Sequence, residues 1–236
     1  MKKKSSEMNF LEHLQELRLR LIYILVILGV GFILCFIFSE DIIKFITRSV
    51  KNYDLIFISP TELFFANLKV AFFSAIIISS PYTIYQLWKF ISPGLLPNEK
   101  KYALPFIILA TLFFILGLAF AYLIVLPYGL KFLLNYRVSD IVTPRISISN
   151  YISFFMTFLL IFGVIFELPL ITFFLSRLNI LSYRTLIKWR KYAILVIFIV
   201  SAILTPPDVF TQILMALPIL ILYEVSILIA RVFGKR

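Results

Sequence analysis

The chain has 236 residues, 61% hydrophobic and 15% charged, with a mean hydropathy of +1.01 and a formal net charge of +11. A soluble domain carries about 25% charged residues, so a water-facing globule, a disordered chain and a collagen-like repeat are excluded, and the lone Cys35 cannot form an intrachain disulfide. What remains is an all-α polytopic membrane protein, whose basic residues belong to the loops of one membrane face rather than to nucleic-acid binding.

Met1–Arg20 holds five basic and three acidic residues before any long apolar run, and no small-residue cleavage site follows that run. The first apolar segment is therefore expected to stay in the mature protein. Phe10, Leu14, Leu17 and Leu21 recur at helical spacing and predict an amphipathic helix over Asn9–Arg20, lying along the interface. A transmembrane helix needs about 20 mostly apolar residues. Six are predicted, at 21–38, 66–87, 103–127, 150–175, 192–205 and 209–230, within one integral membrane domain covering 1–236. After the first, Ser39 is a candidate N-cap with Glu40 and Asp41 in the following turn, and Ile42, Ile43, Ile46 and Val50 share one face. That pattern predicts a second interfacial helix.

The last two spans are predicted short. The apolar heart of the fifth, Ala193–Leu204, has 12 residues, a rise of about 18 Å against a hydrocarbon core of about 30 Å. In the sixth, Glu224 interrupts after the 15 residues Val209–Tyr223. Six spans put both termini on one side, together with the second and fourth loops. That side carries sixteen lysines and arginines against six on the other, with Lys69 at the start of the second span. Both termini are thus expected in the cytoplasm.

Catalysis lacks its parts. One histidine, His13, and one cysteine cannot assemble a His/Cys metal cluster, and no glycine-rich phosphate loop occurs. The chain is expected not to be an enzyme and to need neither metal nor cofactor. The twelve acidic residues are more informative. Glu167 and Glu224 fall inside predicted spans, where an ionisable group is unfavourable by at least about 2.5 kcal/mol and usually meets a cavity or a partner. Glu167 lies deep in the fourth span, just before Leu168-Pro169. It reads as a functional or assembly group, or as a residue bonded to backbone that the proline frees. Glu224, nearer the end of its span, reads as snorkelling or pairing with a basic loop. In the N-terminal helix Glu12 and Glu16, and Glu16 and Arg20, are i,i+4 neighbours, a solvated surface set worth a few tenths of a kcal/mol. Glu99, in the Pro/Gly-punctuated turn Ser92–Glu99, reads alone as a loop charge.

Leu11-Glu12-His13-Leu14-Gln15-Glu16-Leu17-Arg18-Leu19-Arg20-Leu21 resembles the N-terminal signature of TatC, the multispanning core subunit of the twin-arginine protein translocase. Three further stretches agree in order and spacing: Phe90-Ile91-Ser92-Pro93-Gly94-Leu95 with Glu99, Phe162-Gly163-Val164-Ile165-Phe166-Glu167-Leu168-Pro169, and Leu204-Thr205-Pro206-Pro207-Asp208-Val209 with Gln212. The departures are mild, a leucine at 19 and a glycine at 94. The resemblance implies six spans with both ends cytoplasmic, and Sec-independent export of folded proteins driven by the protonmotive force. It also implies recognition of signal peptides carrying two consecutive arginines. Implied partners are single-span TatA-type and TatB-type subunits, the bilayer and further TatC copies; the implied location is a bacterial inner membrane, or a thylakoid for an organelle-encoded copy. By the same resemblance, Glu16 and Glu99, with Arg18 and Phe90 beside them, match positions that contact the arginine pair. Glu167 matches an intramembrane acid that meets partner helices, and Pro206, Asp208 and Gln212 match a motif at the outer end of the last two spans. Two other readings stand beside this one. A proton-coupled small-molecule transporter using Glu167 predicts inverted repeats and paired helix breaks, and neither is visible; a structural scaffold predicts that the acids are dispensable.

Overall fold

Strong helix formers fill the start of the chain, and no glycine or proline interrupts them before Gly29. α1 accordingly runs unbroken over Phe10–Ile37 in the computed structural model, which describes residues 10–50, 55–91, 103–135, 145–205 and 208–234. This corrects the separate interfacial helix expected over Asn9–Arg20: from Phe10 onward that stretch is the beginning of the first long helix. There follow α2 (Ser39–Thr47), a two-residue strand β1 (Leu55–Ile56), α3 (Glu62–Ile91), α4 (Ala103–Phe120) and α5 (Leu126–Asn135). The chain ends with a second short strand β2 (Ile146–Ser147), α6 (Ile148–Ile165), α7 (Leu168–Arg177), α8 (Tyr183–Leu204) and α9 (Val209–Phe233).

Two rods carry a proline-linked irregularity. α4 passes into α5 through one π turn over Ala121–Val125, just before Pro127, and α6 passes into α7 through a turn at Phe166–Glu167, just before Pro169. A proline has no N–H to donate to the preceding turn, and at these two places the ladder widens or breaks, whereas α3 and α9 run on through Pro81 and Pro218. With these pairs joined, the described residues form six rods. Five are long and apolar enough to cross a membrane. α8, with 22 residues, is long enough, but Arg184, Lys188, Arg190 and Lys191 occupy its first half. Both final helices exceed the lengths expected from the sequence. In α8 only the apolar part is short; α9 is continuous over 25 residues because Glu224 does not break it. Its Oε2 accepts a hydrogen bond from Arg190 Nη2 of α8 at 2.7 Å, the pairing with a basic segment that its position suggested.

α6 is the centre of the bundle. Phe155, Phe158 and Phe162 are fully buried, packed with Val70 of α3, Val125 before α5 and Met215 of α9. α4 approaches α6 at Gly117 and Gly163; a Cβ on Gly163 would lie 2.8 Å from the Phe114 ring, and one on Gly117 would collide with the Phe162 carbonyl. Small residues let two helix backbones come this close. Outside the core, Leu25, Ile33, Ile78, Ile108, Leu123 and Ile203 are exposed, a surface suited to acyl chains rather than to water.

Contacts between helix ends sort the rods into two faces. Arg20 of α1 bonds Gln86 of α3; Trp88 of α3 meets Phe174 of α7 with ring centroids 4.5 Å apart; Phe173 of α7 meets Phe233 of α9 at 5.1 Å. One end therefore gathers Arg20, Lys89, Arg177, Arg184 and Arg231. At the other end Phe132 of α5 stacks on Phe210 of α9 at 3.8 Å, and β1 pairs in parallel with β2. There Glu62 clamps two loops. Its carboxylate accepts from Ser147 Oγ, from the Ser149 N–H at 3.1 Å and from the Ile58 N–H at 2.6 Å, while Lys69 Nζ donates to Ser149 and Ser153 hydroxyls at 2.9 Å each.

α2 shows the expected apolar face, with Ile43 and Ile46 buried and Val50 beyond them. That face packs on protein: the Tyr151 hydroxyl of α6 donates to the Ile46 carbonyl at 3.0 Å. Ser39 is not the cap. Phe38 holds the N-cap position, and the buried Ser39 hydroxyl donates back to the Phe36 carbonyl at 2.7 Å.

Candidate functional site

Two acidic side chains among the described residues hold a buried oxygen without a hydrogen-bond partner, one at the basic end and one inside the bundle. At the basic end, Glu16 lies on the second turn of α1, facing the last turns of α3. Arg20, one turn further on, is only 7% exposed. Its Nη2 donates to Glu16 Oε1, and its Nη1 donates to the Gln86 carbonyl at 3.3 Å. Gln86 is itself held by its Nε2 bond to the Tyr82 hydroxyl at 2.6 Å. The solvated pair expected from the helix alone is thus a buried brace between α1 and α3, and the Glu16 side chain is 22% exposed.

The brace uses half of the carboxylate. Glu16 Oε2 is buried without a hydrogen-bond partner among the described residues, 3.9 Å from His13 Nδ1. His13 stacks on Phe90, with ring centroids 4.3 Å apart and planes 16° from parallel. Glu16 and Phe90, expected to belong together, are linked through His13, which the sequence offered only as a lone histidine too few for a metal cluster. Arg18 is exposed on α1; residues two apart on a helix do not face each other, and Arg18 is not part of the brace. Glu99 lies outside the described residues. A signal for Arg20 did exist, namely its i,i+4 spacing from Glu16, but its burial depends on a carbonyl 66 positions away.

Inside the bundle, Glu167 sits at the break between α6 and α7, at the N-cap position of α7. No side-chain capping bond is made there, and Oε1 is buried without a partner among the described residues. The side chain lines a cavity of about 350 Å³ between α3, α4 and α7. Trp88, Phe106 and Phe174 form one wall, with centroid separations of 4.4 Å and 4.5 Å from Trp88, whose Nε1 is likewise buried and unpartnered. The acid oxygen and the indole N–H lie behind the almost wholly apolar surface of this groove.

The third predicted group builds the α8–α9 hairpin. Asp208 is the N-cap of α9: Oδ1 accepts from the Thr211 N–H at 2.7 Å and Oδ2 from the Thr211 hydroxyl. Gln212 Nε2 donates to the Phe198 carbonyl of α8 at 3.1 Å. Pro206 lies outside the described residues. No group of three or more His, Cys, Asp or Glu side chains suited to a metal occurs among the described residues.

Residues 12–218 match the TatC family, described as Sec-independent protein translocase protein. The chain is similar to the Sec-independent protein translocase protein TatC of Desulforapulum autotrophicum, with 42% identity over all of this chain and 89% of that protein. It is 46% identical to the protein of the same name from Helicobacter pylori strain J99, over 93% of this chain and 87% of the other. Among solved structures it is similar to the twin arginine translocase receptor TatC, with a TM-score of 0.87 and 38% identity. That match covers 95% of this chain and all of the other.

Proposed function

This chain belongs to the TatC family of Sec-independent protein translocases, and from that premise we propose that its basic end is the receptor site for twin-arginine signal peptides. The observation that carries the reading is the half-used carboxylate of Glu16. One oxygen is held by Arg20, and the other is buried, without a hydrogen-bond partner among the described residues and beside the stacked His13–Phe90 pair. An incoming guanidinium donates to Oε2 while its planar face lies against the aromatic wall, a combination that a lysine ammonium cannot reproduce. Glu99 receives the second arginine. The surrounding cations repel a basic peptide elsewhere on this face, so the acids supply selectivity as well as attraction.

In this reading the basic end faces the cytoplasm, as the loop charges indicate, and the protein is a multi-pass component of a bacterial inner membrane, or of a thylakoid membrane if organelle-encoded. Glu167 and its groove receive the helices of TatA-type and TatB-type single-span subunits, with further copies of this chain in the same complex. The protonmotive force drives transport of the folded cargo, and the chain catalyses no covalent chemistry. A small-molecule transporter is not supported, since the relatives carry the name of protein translocases. The test is binding of a twin-arginine signal peptide to the purified protein, with a twin-lysine peptide as control. Binding of the arginine form alone supports the site; equal binding of both contradicts it.

A further inference from the structure

α7 ends with two nested backbone bonds, from the Ile180 N–H to the Leu175 carbonyl at 3.0 Å and from the Asn179 N–H to the Ser176 carbonyl at 3.1 Å. Asn179 makes this turn with φ 57°, a left-handed conformation that asparagine tolerates better than most residues. The chain then re-enters α8 at Ser182, whose hydroxyl caps the Thr185 N–H. Between this turn, the start of α8 and the end of α9 lies a pocket of about 680 Å³. Ser176, Arg184 and Arg231 line it.

One buried donor and two exposed guanidiniums line the pocket together. Ser176 is 1% exposed, yet its hydroxyl has no hydrogen-bond partner among the described residues. Arg184 is exposed; its Nε donates to the Tyr183 hydroxyl at 3.3 Å and its guanidinium lies 5.9 Å from the centre of that ring. Arg231 has no ion pair among the described residues, and Glu224, the acid before it on α9, is already held by Arg190. A buried hydroxyl left unpaired is destabilising, and the two guanidiniums have no carboxylate partner among the described residues. A tetrahedral oxyanion accepts from both guanidiniums and from the serine, and these charges outweigh the negative ends of α7 and α9 that border the pocket beside the positive start of α8.

We propose that this pocket is a phosphate-binding site. Its place at the ends of α7 and α9 sets it at headgroup depth, where an anionic phospholipid is the abundant source of phosphate. The reading is independent of signal-peptide recognition, because none of these residues belongs to the Glu16 brace.

Native mass spectrometry of the purified full chain, titrated with phosphatidylglycerol, phosphatidylcholine and inorganic phosphate, tests it. Phosphatidylglycerol is expected to bind the parent about tenfold more tightly than the Arg184→Gln/Arg231→Gln variant, the loss expected for a charge-assisted bond. The Arg184→Lys/Arg231→Lys variant should recover part of that loss. Lys89→Gln, which removes a cation from the same end outside the pocket, should bind like the parent. Ser176→Ala should weaken binding about fivefold without lowering the melting temperature of the free protein, a split that a purely structural serine does not produce. Inorganic phosphate binding with the same arginine dependence also supports the site, with soluble phosphate as the source. Equal binding by the parent and the double glutamine variant, or an equal loss in Lys89→Gln, overturns the proposal.

Discussion

Replacing Glu16 by glutamine keeps the side chain's size and leaves Arg20 an acceptor, but removes the negative charge. Alanine is the wrong probe: Arg20 is only 7% exposed, and stripping a buried cation of its partner is destabilising by about 3–5 kcal/mol, enough to confuse unfolding with loss of binding. A hydrogen bond to a charged group contributes about 1.5–3 kcal/mol, and every 1.4 kcal/mol or so is tenfold in affinity. Glu16→Gln should therefore weaken signal-peptide binding about 10- to 100-fold. Arg20 pushes toward the upper value, since its positive charge, no longer neutralised, also faces the incoming arginines. The assay is fluorescence anisotropy of a labelled twin-arginine peptide with the purified protein, at low and high salt, beside a melting curve for each variant. The parent's affinity should fall as salt rises, and the variant's should fall less, because screening acts on the charge that the substitution has removed. Glu99→Gln should behave likewise, and Glu7→Ala, outside the motif, should not. A folded Glu16→Gln protein that binds the peptide as tightly as the parent refutes the reasoning.

Glu167→Ala should reduce crosslinking to single-span partner subunits while leaving signal-peptide affinity at the parent's value; undiminished crosslinking removes Glu167 from the partner site. Gly117→Leu forces a side chain against the Phe162 carbonyl and should lower stability by at least about 1–3 kcal/mol, the usual loss for overpacking, read as a fall in melting temperature. Cysteines placed at Ser147 and Ser182 should be labelled from opposite sides of the membrane, the first from outside and the second from the cytoplasm; labelling of both from one side contradicts the orientation.

The membrane class and the helical rods were legible in the sequence because hydropathy is a local property. Runs such as Leu21–Phe38 need no knowledge of their neighbours to be read as spans. What escaped was set by contacts between distant segments. The N-terminal amphipathic stretch looked like a surface helix, yet with no breaker between Phe10 and Leu28 it continues straight into α1. For Glu224 the sequence suggested a basic partner, but not that it would be Arg190, 34 positions earlier. Ser39 had the chemistry of a cap but spends its hydroxyl on the preceding turn. At the candidate site, the acids stood out because they are few, and the four motifs pointed to Glu16 and Phe90. The role of His13 as the stack between them, and of Arg20 as a buried brace, depends on how α1 lies against α3, which no local pattern encodes.

The central claim is that the arginine pair is read at the α1–α3 end. Photocrosslinking tests it most directly, with a reactive group placed beside the two arginines of a signal peptide and the adducts on the purified protein mapped by mass spectrometry. Adducts should fall on the Glu12–Arg20 stretch of α1 and around Phe90, and should disappear with a twin-lysine peptide. Adducts confined to α8 and α9, or unchanged when lysines replace the arginines, contradict the account.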